Sequence, residues 1–278
     1  MERRAEPSRA TPGGQRTCFH LAILMALMLR AVYRLALRQT GGLLASIIRL
    51  RGLDLAVPDH SALSRRAKTV TFLTPPAKST EPVRLLVDSN GVKLCGPGDW
   101  LVEPHGARRR RVWRKLHVGL NAAIGRIVAA TLTAHDVDDA SQVGPLLEQI
   151  AEPLDAVIAD GAYDQRGVYE TAAKRHPGAV VGVPPRSTAV PSDNAQANQT
   201  LRDRHLQAIA DGGRMVWQAT SGYNVRALVE AFFSRYKHVI GDGLRFHTDD
   251  RQQTEIAVAV LVLNCMLHLG HPDSVRLV

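Results

Sequence analysis

The sequence predicts a mixed α/β domain arranged around one sheet, with a small all-helical region before it. Two observations lead to this prediction. Apolar residues recur at helical spacing between residues 19 and 66, whereas from residue 83 onwards short apolar runs typical of strands alternate with helical patterns. The 278-residue chain is 45% hydrophobic and 22% charged, which is ordinary for a globular protein and excludes a disordered or fibrous chain.

The first part of the chain is predicted to be helical up to about residue 80. Residues 1–18 are polar and without period, and we expect them to form a disordered leader. In the region 19–80, Gly41 and Gly42 interrupt the first helical pattern, which suggests two helices there.

A short third helix is expected to follow in the same region. Its start signals lie in the sequence PDHS around Asp59, and it ends in Arg65 and Arg66. Prolines between residues 74 and 82 then predict a loop.

Residues 81–278 are predicted to form the sheet-containing domain. Its first strand, 83–87, is expected to end at Asp88, before turn residues 89–91. The remaining elements are, in order, strands at 112–120 and 124–133, a helix at 139–150, a strand at 156–159, a helix at about 164–175, a strand at 179–183, and helices at 223–238 and 252–269. Residues 186–220 are rich in Asn and Gln, and they are predicted to form an insertion or a long loop.

The formal net charge of +9 is unevenly distributed. Residues 1–120 hold 21 basic and 8 acidic side chains, a net charge of +13, whereas residues 121–278 hold 14 and 18, a net charge of −4. Basic regions of this kind are typical of proteins that bind polyanions, nucleic acid first and anionic membranes second. The two parts of the chain are therefore expected to do different jobs.

The cysteines and the longest apolar run indicate in which cellular compartment the protein is expected. Cys18, Cys95 and Cys265 form no CxxC pair, which excludes a disulfide framework and favours a cytoplasmic protein. The longest apolar run, 21–29, is far shorter than the roughly 20 residues that span a bilayer. A secretory signal is one interpretation of this run, but the arginines after it favour a buried helix, so no membrane partner is expected.

Two aspartates follow predicted buried strands. Asp88 and Asp160 each stand at the carboxyl end of a strand, where side chains of an open α/β sheet converge on a substrate. Either one alone is equally typical of turn chemistry.

A third acid, Glu230, lies among cations on a predicted helix. Helical geometry places Tyr223, Arg226, Glu230 and Lys237 within roughly 60° of each other. The opposite face is apolar and consists of Val225, Leu228, Val229, Phe232 and Tyr236. A solvated surface pair of Arg226 with Glu230 would explain the same stripe.

The three carboxylates suit a hard divalent ion with oxygen ligands, Mg²⁺ or Mn²⁺. Two such ions about 3.5–4 Å apart assist an in-line phosphoryl displacement, for which nearby cations hold the substrate. The histidines His105, His117 and His135 show no metal-ligand spacing and are interpreted as polar or strand residues.

Further residues are candidates for contact with nucleic acid. The densest cationic run consists of Arg108, Arg109, Arg110, Arg111, Arg114 and Lys115. A block of one sign repels itself unless a polyanion is near, so phosphate contact is favoured over a solvated face. Trp217 either stacks on an unpaired or flipped base near a DNA end or is a core aromatic in a short strand.

Several stretches taken together resemble a known family. They are LLVDSNGVKLCGPGDW (85–100), WRKLHVGL (113–120), ADGAYD (159–164), VPPR (183–186), YNVRALVEAFFSRYK (223–237) and LNCMLHLGHPDS (263–274). The fifth fits the signature Y-(2)-R-(3)-E-(6)-K at Tyr223, Arg226, Glu230 and Lys237. In these stretches the chain resembles the DDE transposases of bacterial insertion sequences, specifically the IS-five group.

The resemblance implies an RNase H-like fold in which Asp88, Asp160 and Glu230 are catalytic and hold two Mg²⁺ or Mn²⁺ ions. It implies cleavage at the terminal inverted repeats of an element and joining of the 3′-hydroxyl ends to target DNA. Tyr223, Arg226 and Lys237 would orient phosphates near the scissile bond. The helical region, with PDHSALSRR (58–66), is similar to the family's DNA-binding region, and a homo-oligomer on double-stranded DNA is expected.

One departure leaves alternatives open. Residues 1–18 do not resemble the family, which usually has a longer helical region at this point. A truncated or decayed transposase that only binds DNA is therefore one alternative. An RNase H-like nuclease that cleaves without strand transfer is another.

Overall fold

A computed structural model describes residues 20–68, 82–94, 113–193, 195–196 and 198–270. Its internal contacts divide the chain into two compact units, Met1–Thr71 and Phe72–Val278.

In the first unit the described residues form three helices, α1 (His20–Val32), α2 (Leu37–Leu50) and α3 (His60–Ala67). Ile23, Leu27 and Leu63 are buried where these helices meet. Asp59 accepts hydrogen bonds from the backbone N–H groups of Ser61 and Ala62 at 2.6 and 2.8 Å, so the predicted start of the third helix is confirmed.

The break between the first two helices differs from the prediction. Helix α2 continues through Gly41 and Gly42, and the chain instead changes direction around Arg34, whose φ is 53°. Gln39 fixes the start of α2, because its Oε1 accepts from the Ala36 N–H at 2.9 Å. Glycine only weakens a helix, by about 1 kcal/mol each, and packing in the unit overrides that preference.

The run 21–29 lies in α1, as the buried-helix interpretation predicted. No described helix is by itself long and apolar enough to cross a membrane, and α1 and α2 meet the length and composition criteria only as a pair bent by 111°.

Within the described residues, the second unit is built on a six-stranded mixed sheet. The strands are β1 (Val83–Leu94), β2 (Trp113–Asn121), β3 (Arg126–Ala134), β4 (Leu154–Ile158), β5 (Val180–Gly182) and β6 (Gly243–Leu244). Their order is β3-β2-β1-β4-β5, with β6 beside the end of β1. Strand β2 is antiparallel to β1 and β3, whereas β4 and β6 run parallel to β1 and β5 parallel to β4. This order with these directions is the RNase H-like fold.

Helices cover both faces of the sheet. They are α4 (Val143–Leu147), α5 (Arg166–Arg175), α6 (Leu201–Thr220), α7 (Ala227–Val239) and α8 (Asp249–His268). Successive strand residues point to opposite faces. Leu85 and Val87 therefore pack in one apolar cluster with α4 and α5, while Leu86 packs in the other with α7 and α8. The predicted hairpin, strands and last helix are all found in the predicted order.

The first strand is longer than predicted. Strand β1 runs through Asp88 and the expected turn to Leu94, because β2 provides an antiparallel partner along the whole stretch. Gly91 serves close packing here, since a Cβ at this position would lie 3.3 Å from the Trp113 ring.

A helix occupies much of the segment predicted as a loop. Thr200 is the N-cap residue of α6, and Asp203 accepts hydrogen bonds from the Thr200 N–H and hydroxyl at 3.0 and 2.6 Å. Helical dihedral angles are interrupted at Gly213, where φ is 82° and ψ is 162°. The glycines and polar residues obscured the helical pattern in the sequence.

The helix predicted at 223–238 starts later than expected. Tyr223–Arg226 forms a 3₁₀ turn, and α7 begins at Ala227. The buried face of α7 consists of Val229, Phe232, Phe233 and Tyr236, whereas Leu228 is 44% exposed. The prediction that Leu228 lies on the apolar face was therefore wrong. Phe233 lies there instead, because it follows Val229 by four residues and so shares its face of the helix.

A buried ion pair holds α6 against the loop that follows β4. The Asp164 carboxylate is fully buried and accepts from Nε and Nη2 of Arg202 at 2.7 and 3.1 Å. Arg202 also donates from Nη1 to the Val190 carbonyl at 3.1 Å, and the Arg186 N–H donates to Asp164 at 3.0 Å. Asp164 thus depends on Arg202 for its counter-charge.

Arg202→Ala is expected to lower the free energy of unfolding by about 3–5 kcal/mol, because it leaves the buried Asp164 carboxylate without its partner. Arg204→Ala removes an exposed arginine from the same helix and should change it by less than about 0.5 kcal/mol. Urea unfolding followed by circular dichroism measures both. Equal effects of the two substitutions would contradict the role of the pair.

Candidate active site

Asp88 and Asp160 lie at the same level on neighbouring strands. The parallel pairing of β1 with β4 ends with Leu86 opposite Ile158, and each aspartate follows two residues later. Because side chains alternate, both acids lie on the face that packs against α7. Asp160 follows the end of its strand as predicted, whereas Asp88 lies within a continuous strand.

Backbone N–H groups orient both carboxylates. Asp88 Oδ1 accepts from the Ser89 N–H at 2.8 Å, and Asp160 Oδ1 accepts from the Ala162 N–H at 2.9 Å. Ala162 belongs to a 3₁₀ turn that begins directly after Asp160. The strands and this turn therefore hold the two acids in defined orientations.

Arg226 joins all three predicted acids. Its Nη2 lies 3.1 Å from Asp88 Oδ2 and 3.5 Å from Asp160 Oδ2, and its Nη1 lies 2.7 Å from Glu230 Oε1. The exposed fractions of the side chains are 13% for Asp88, 35% for Asp160, 69% for Glu230 and 18% for Arg226. The structure thus brings together the three carboxylates that the sequence singled out.

Burial dominates the electrostatics of Asp88. It raises the pKa of this carboxyl to about 6, although the Ser89 N–H and the Arg226 charge both lower it. The nearby carboxylates Asp160 and Asp139 act in the same direction as burial. The loss of hydration at Asp88 therefore outweighs the stabilisation that its partners give to the charged form.

A second polar cluster lies beside Asp88 and was not predicted. Asp139 accepts a hydrogen bond from Ser89 Oγ at 2.9 Å and forms an ion pair with Lys115 at 3.2 Å. Lys115 also donates to the Val137 carbonyl at 2.8 Å. Asp139 lies in the sequence HDVDD, which follows β3. The rule that singled out Asp88 and Asp160, an acid after a predicted strand, could also have singled out Asp139.

His117 is a buried strand residue, as predicted. Its Nε2 lies 2.8 Å from the Thr133 hydroxyl, and its Nδ1 lies 3.6 Å from Asp139 Oδ1. Burial lowers the pKa of His117, so the ring is neutral at pH 7.

Trp217 belongs to the core. It is 2% exposed, and its ring centroid lies 5.3 Å from that of His205 and 5.5 Å from that of Tyr223. This burial argues against stacking on a base and fits the alternative of a core aromatic, on helix α6 rather than on a strand. Trp217 instead supports the Tyr223 ring, and burial raises the pKa of Tyr223.

Among the described residues of the second unit, the predicted cations Lys237 and Arg114 lie outside the group of three acids. Lys237 is exposed and lies seven residues after Glu230 on α7, about 10 Å along the helix axis. Arg114 forms an ion pair with Asp249 at the start of α8. Arg65 and Arg66 lie in the last turn of α3 in the first unit. The block Arg108, Arg109, Arg110 and Arg111 lies outside the described residues, as does His105.

The donor set fits a hard divalent ion. Asp88, Asp160 and Glu230 offer carboxylate oxygens from one site, which is the chemistry that Mg²⁺ and Mn²⁺ prefer. In the part of the chain that the structure describes, no three His, Cys, Asp or Glu side chains are grouped as a metal site as they stand. The Arg226 guanidinium lies between the three carboxylates instead.

Two family models match the chain, and both are described as a transposase DDE domain. One matches residues 79–265, which is more than half of the chain and includes all three acids. The other matches residues 2–97. This match covers most of residues 1–18, a segment for which the sequence showed no resemblance to the family.

Solved structures of Mos1 transposase are similar to this chain at low identity. A paired-end complex with left transposon end matches at 13% identity and a TM-score of 0.28, covering 87% of this chain and 83% of that chain. The Strand Transfer Complex matches at 12% identity and a TM-score of 0.25, covering 95% and 82%. Identities and scores this low do not bear on activity.

Asp88→Asn is expected to stabilise the protein at alkaline pH in the presence of a chelator. Because the pKa is about 6 in the folded protein and 3.8 ordinarily, ionising Asp88 costs the folded state free energy. The cost appears between about pH 4 and pH 6 and reaches on the order of 2–3 kcal/mol at pH 8.

Denaturant unfolding of both proteins in EDTA at pH 4 and pH 8 measures this difference. Asp136→Asn, at an exposed aspartate, is the control and should show no such pH dependence. If Asp88→Asn raises the free energy of unfolding by the same amount at pH 4 and pH 8, the effect does not come from the ionisation of Asp88.

Proposed function

The chain belongs to the family of transposases with a DDE domain, and we propose that it cuts DNA at the terminal inverted repeats of an insertion sequence and joins the 3′-hydroxyl ends to target DNA. The observation that carries this proposal is the convergence of Asp88, Asp160 and Glu230 around one guanidinium. Both steps are in-line attacks on a phosphodiester, first by water and then by the DNA hydroxyl.

The three acids would hold two divalent ions, Mg²⁺ or Mn²⁺. When bound, such ions activate the attacking oxygen and stabilise the leaving oxygen. Asp88 and Asp160 are fixed by backbone N–H groups on a sheet, which suits groups that must keep their geometry through the reaction. Glu230 is the most exposed of the three and lies in the first turn of α7, where its side chain has room to adjust.

One phenol and two cations near the acids would position the substrate. Tyr223 and Arg226 lie next to the triad, so both are placed to contact the phosphates that flank the scissile bond. The Trp217 ring supports Tyr223. Lys237, farther along α7, would contact a phosphate more distant from the reacting bond.

Contacts away from the site would hold the DNA through its backbone. We assign this role to Arg65 and Arg66 of the first unit and to the arginine block Arg108 to Arg111. Arg114 and Lys115 have acidic partners in Asp249 and Asp139, so a phosphate would have to compete for them. Such contacts are independent of sequence and weaken steeply with salt.

One chain carries one triad, whereas an insertion sequence has two ends. Joining both ends to a target therefore requires a second copy, and we propose a homo-oligomer assembled on double-stranded DNA.

In Mg²⁺, the protein should nick and join DNA that contains the sequences flanking its own reading frame. Asp88→Asn, Asp160→Asn and Glu230→Gln should each lower both rates at least about a hundredfold, because each removes a carboxylate of the proposed metal site. Gel electrophoresis of labelled substrates measures nicks and joined products.

Glu170→Gln is a matched control, because Glu170 forms the same i,i+4 pair with Arg166 on an exposed helix face. It should leave both rates unchanged. Cleavage without joined products would indicate a nuclease, and salt-sensitive binding without cleavage would indicate a DNA-binding protein. Either result would overturn strand transfer as the function.

A further inference from the structure

Arg226 occupies the position between the three acids that a bridging cation would need. Its two Nη atoms contact one oxygen each of Asp88, Asp160 and Glu230. The Arg226 and Asp88 side chains are both largely withdrawn from water, so this pair is stronger than a surface ion pair, whereas Glu230 is exposed.

A divalent ion held by the three carboxylates would meet the positive charge of Arg226 at the same place. Mg²⁺ binds carboxylate oxygens at about 2.0–2.1 Å and demands a nearly octahedral arrangement. A guanidinium nitrogen holds the same oxygens at about 2.7–3.2 Å, and its positive charge repels the ion. The two cations therefore compete for one position.

The hydrogen bonding of Arg226 differs from that of a permanent structural arginine. In Arg202 the Nε, Nη1 and Nη2 atoms all have acceptors, Asp164 and the Val190 carbonyl. In Arg226 the Nε is buried without a hydrogen-bond partner among the described residues. Arg226 is thus held by the charge of the three acids and not by complete hydrogen bonding, as expected for a side chain that can leave.

We infer that Arg226 is an internal counter-cation that closes the catalytic site by bridging Asp88, Asp160 and Glu230, and that divalent metal ions bind by displacing it. The inference rests on the proposed function, which assigns these acids to metal binding. Arg226 is then a positioning residue that keeps the carboxylates together before the ions bind. Its release also frees a guanidinium beside the scissile phosphate.

Mn²⁺ titration of the full chain, followed by electron paramagnetic resonance of the free ion in a chelator-stripped solution at pH 8, tests this inference without DNA or activity. Arg226→Gln should bind Mn²⁺ about tenfold tighter than the wild type, within the 5–150-fold range of typical coupling. Without Mn²⁺, the melting temperature of Arg226→Gln should be lower than that of the wild type. Adding Mn²⁺ should raise the melting temperature of the variant by more than that of the wild type.

Arg166→Gln is the matched control, because Arg166 forms the equivalent i,i+4 pair with Glu170 and its removal makes the same change of charge. It should bind Mn²⁺ as the wild type does. If Arg226→Gln fails to fold, Arg226→Lys replaces it, because a single ammonium group cannot bridge three carboxylates as a guanidinium does and should also tighten Mn²⁺ binding.

Asp88→Asn separates the two ways in which the inference can fail. If Asp88→Asn loses Mn²⁺ binding but Arg226→Gln binds no tighter than the wild type, the counter-cation role is overturned and the metal site stands. If Asp88→Asn binds Mn²⁺ as well as the wild type, the proposed metal site is overturned together with the inference.

Discussion

The parallel pairing of β1 with β4 is the constraint on which the site depends. This ladder places Leu86 opposite Ile158, and the same register brings Asp88 and Asp160 to one level and one face. A slip of one residue would turn one acid toward the opposite apolar cluster. Helix α7 then completes the group, because Val229, Phe232 and Tyr236 bury it against that face and leave Glu230 at its edge.

Bringing acids together has an electrostatic cost that the surrounding residues offset only in part. Burial raises the pKa of Asp88, and Asp139 beside it adds to the same effect. The backbone N–H of Ser89 and the charge of Arg226 act against it. The folded protein is thus less stable with Asp88 ionised than it would be with a neutral side chain at this position.

Strong local patterns in the sequence were sufficient for the hairpin of β2 and β3, for α8 and for the start of α3 at Asp59. Elements that depend on distant partners were not predictable. Examples are the extension of β1 along β2 and helix α6, which Asp164 and Ser192 stabilise from outside its own sequence. For the site, positions after strands pointed to Asp88 and Asp160, a polar helix stripe pointed to Glu230, and the resemblance joined the three. The bridging geometry of Arg226 could not be predicted, because helical spacing treats the 3₁₀ turn Tyr223–Arg226 as part of α7.

The uneven lengths of β1 and β4 leave the middle of β1 without a second strand partner among the described residues. On the side of β1 away from β2, the described strands pair with it only at residues 83–86 and 93–94, through β4 and β6. Between these two ladders the backbone of β1 has no neighbouring strand among the described residues, and Asp88 lies in that interval. Among the described strands, the backbone around Asp88 is therefore held by β2 alone, so the position of this acid depends on a single antiparallel neighbour.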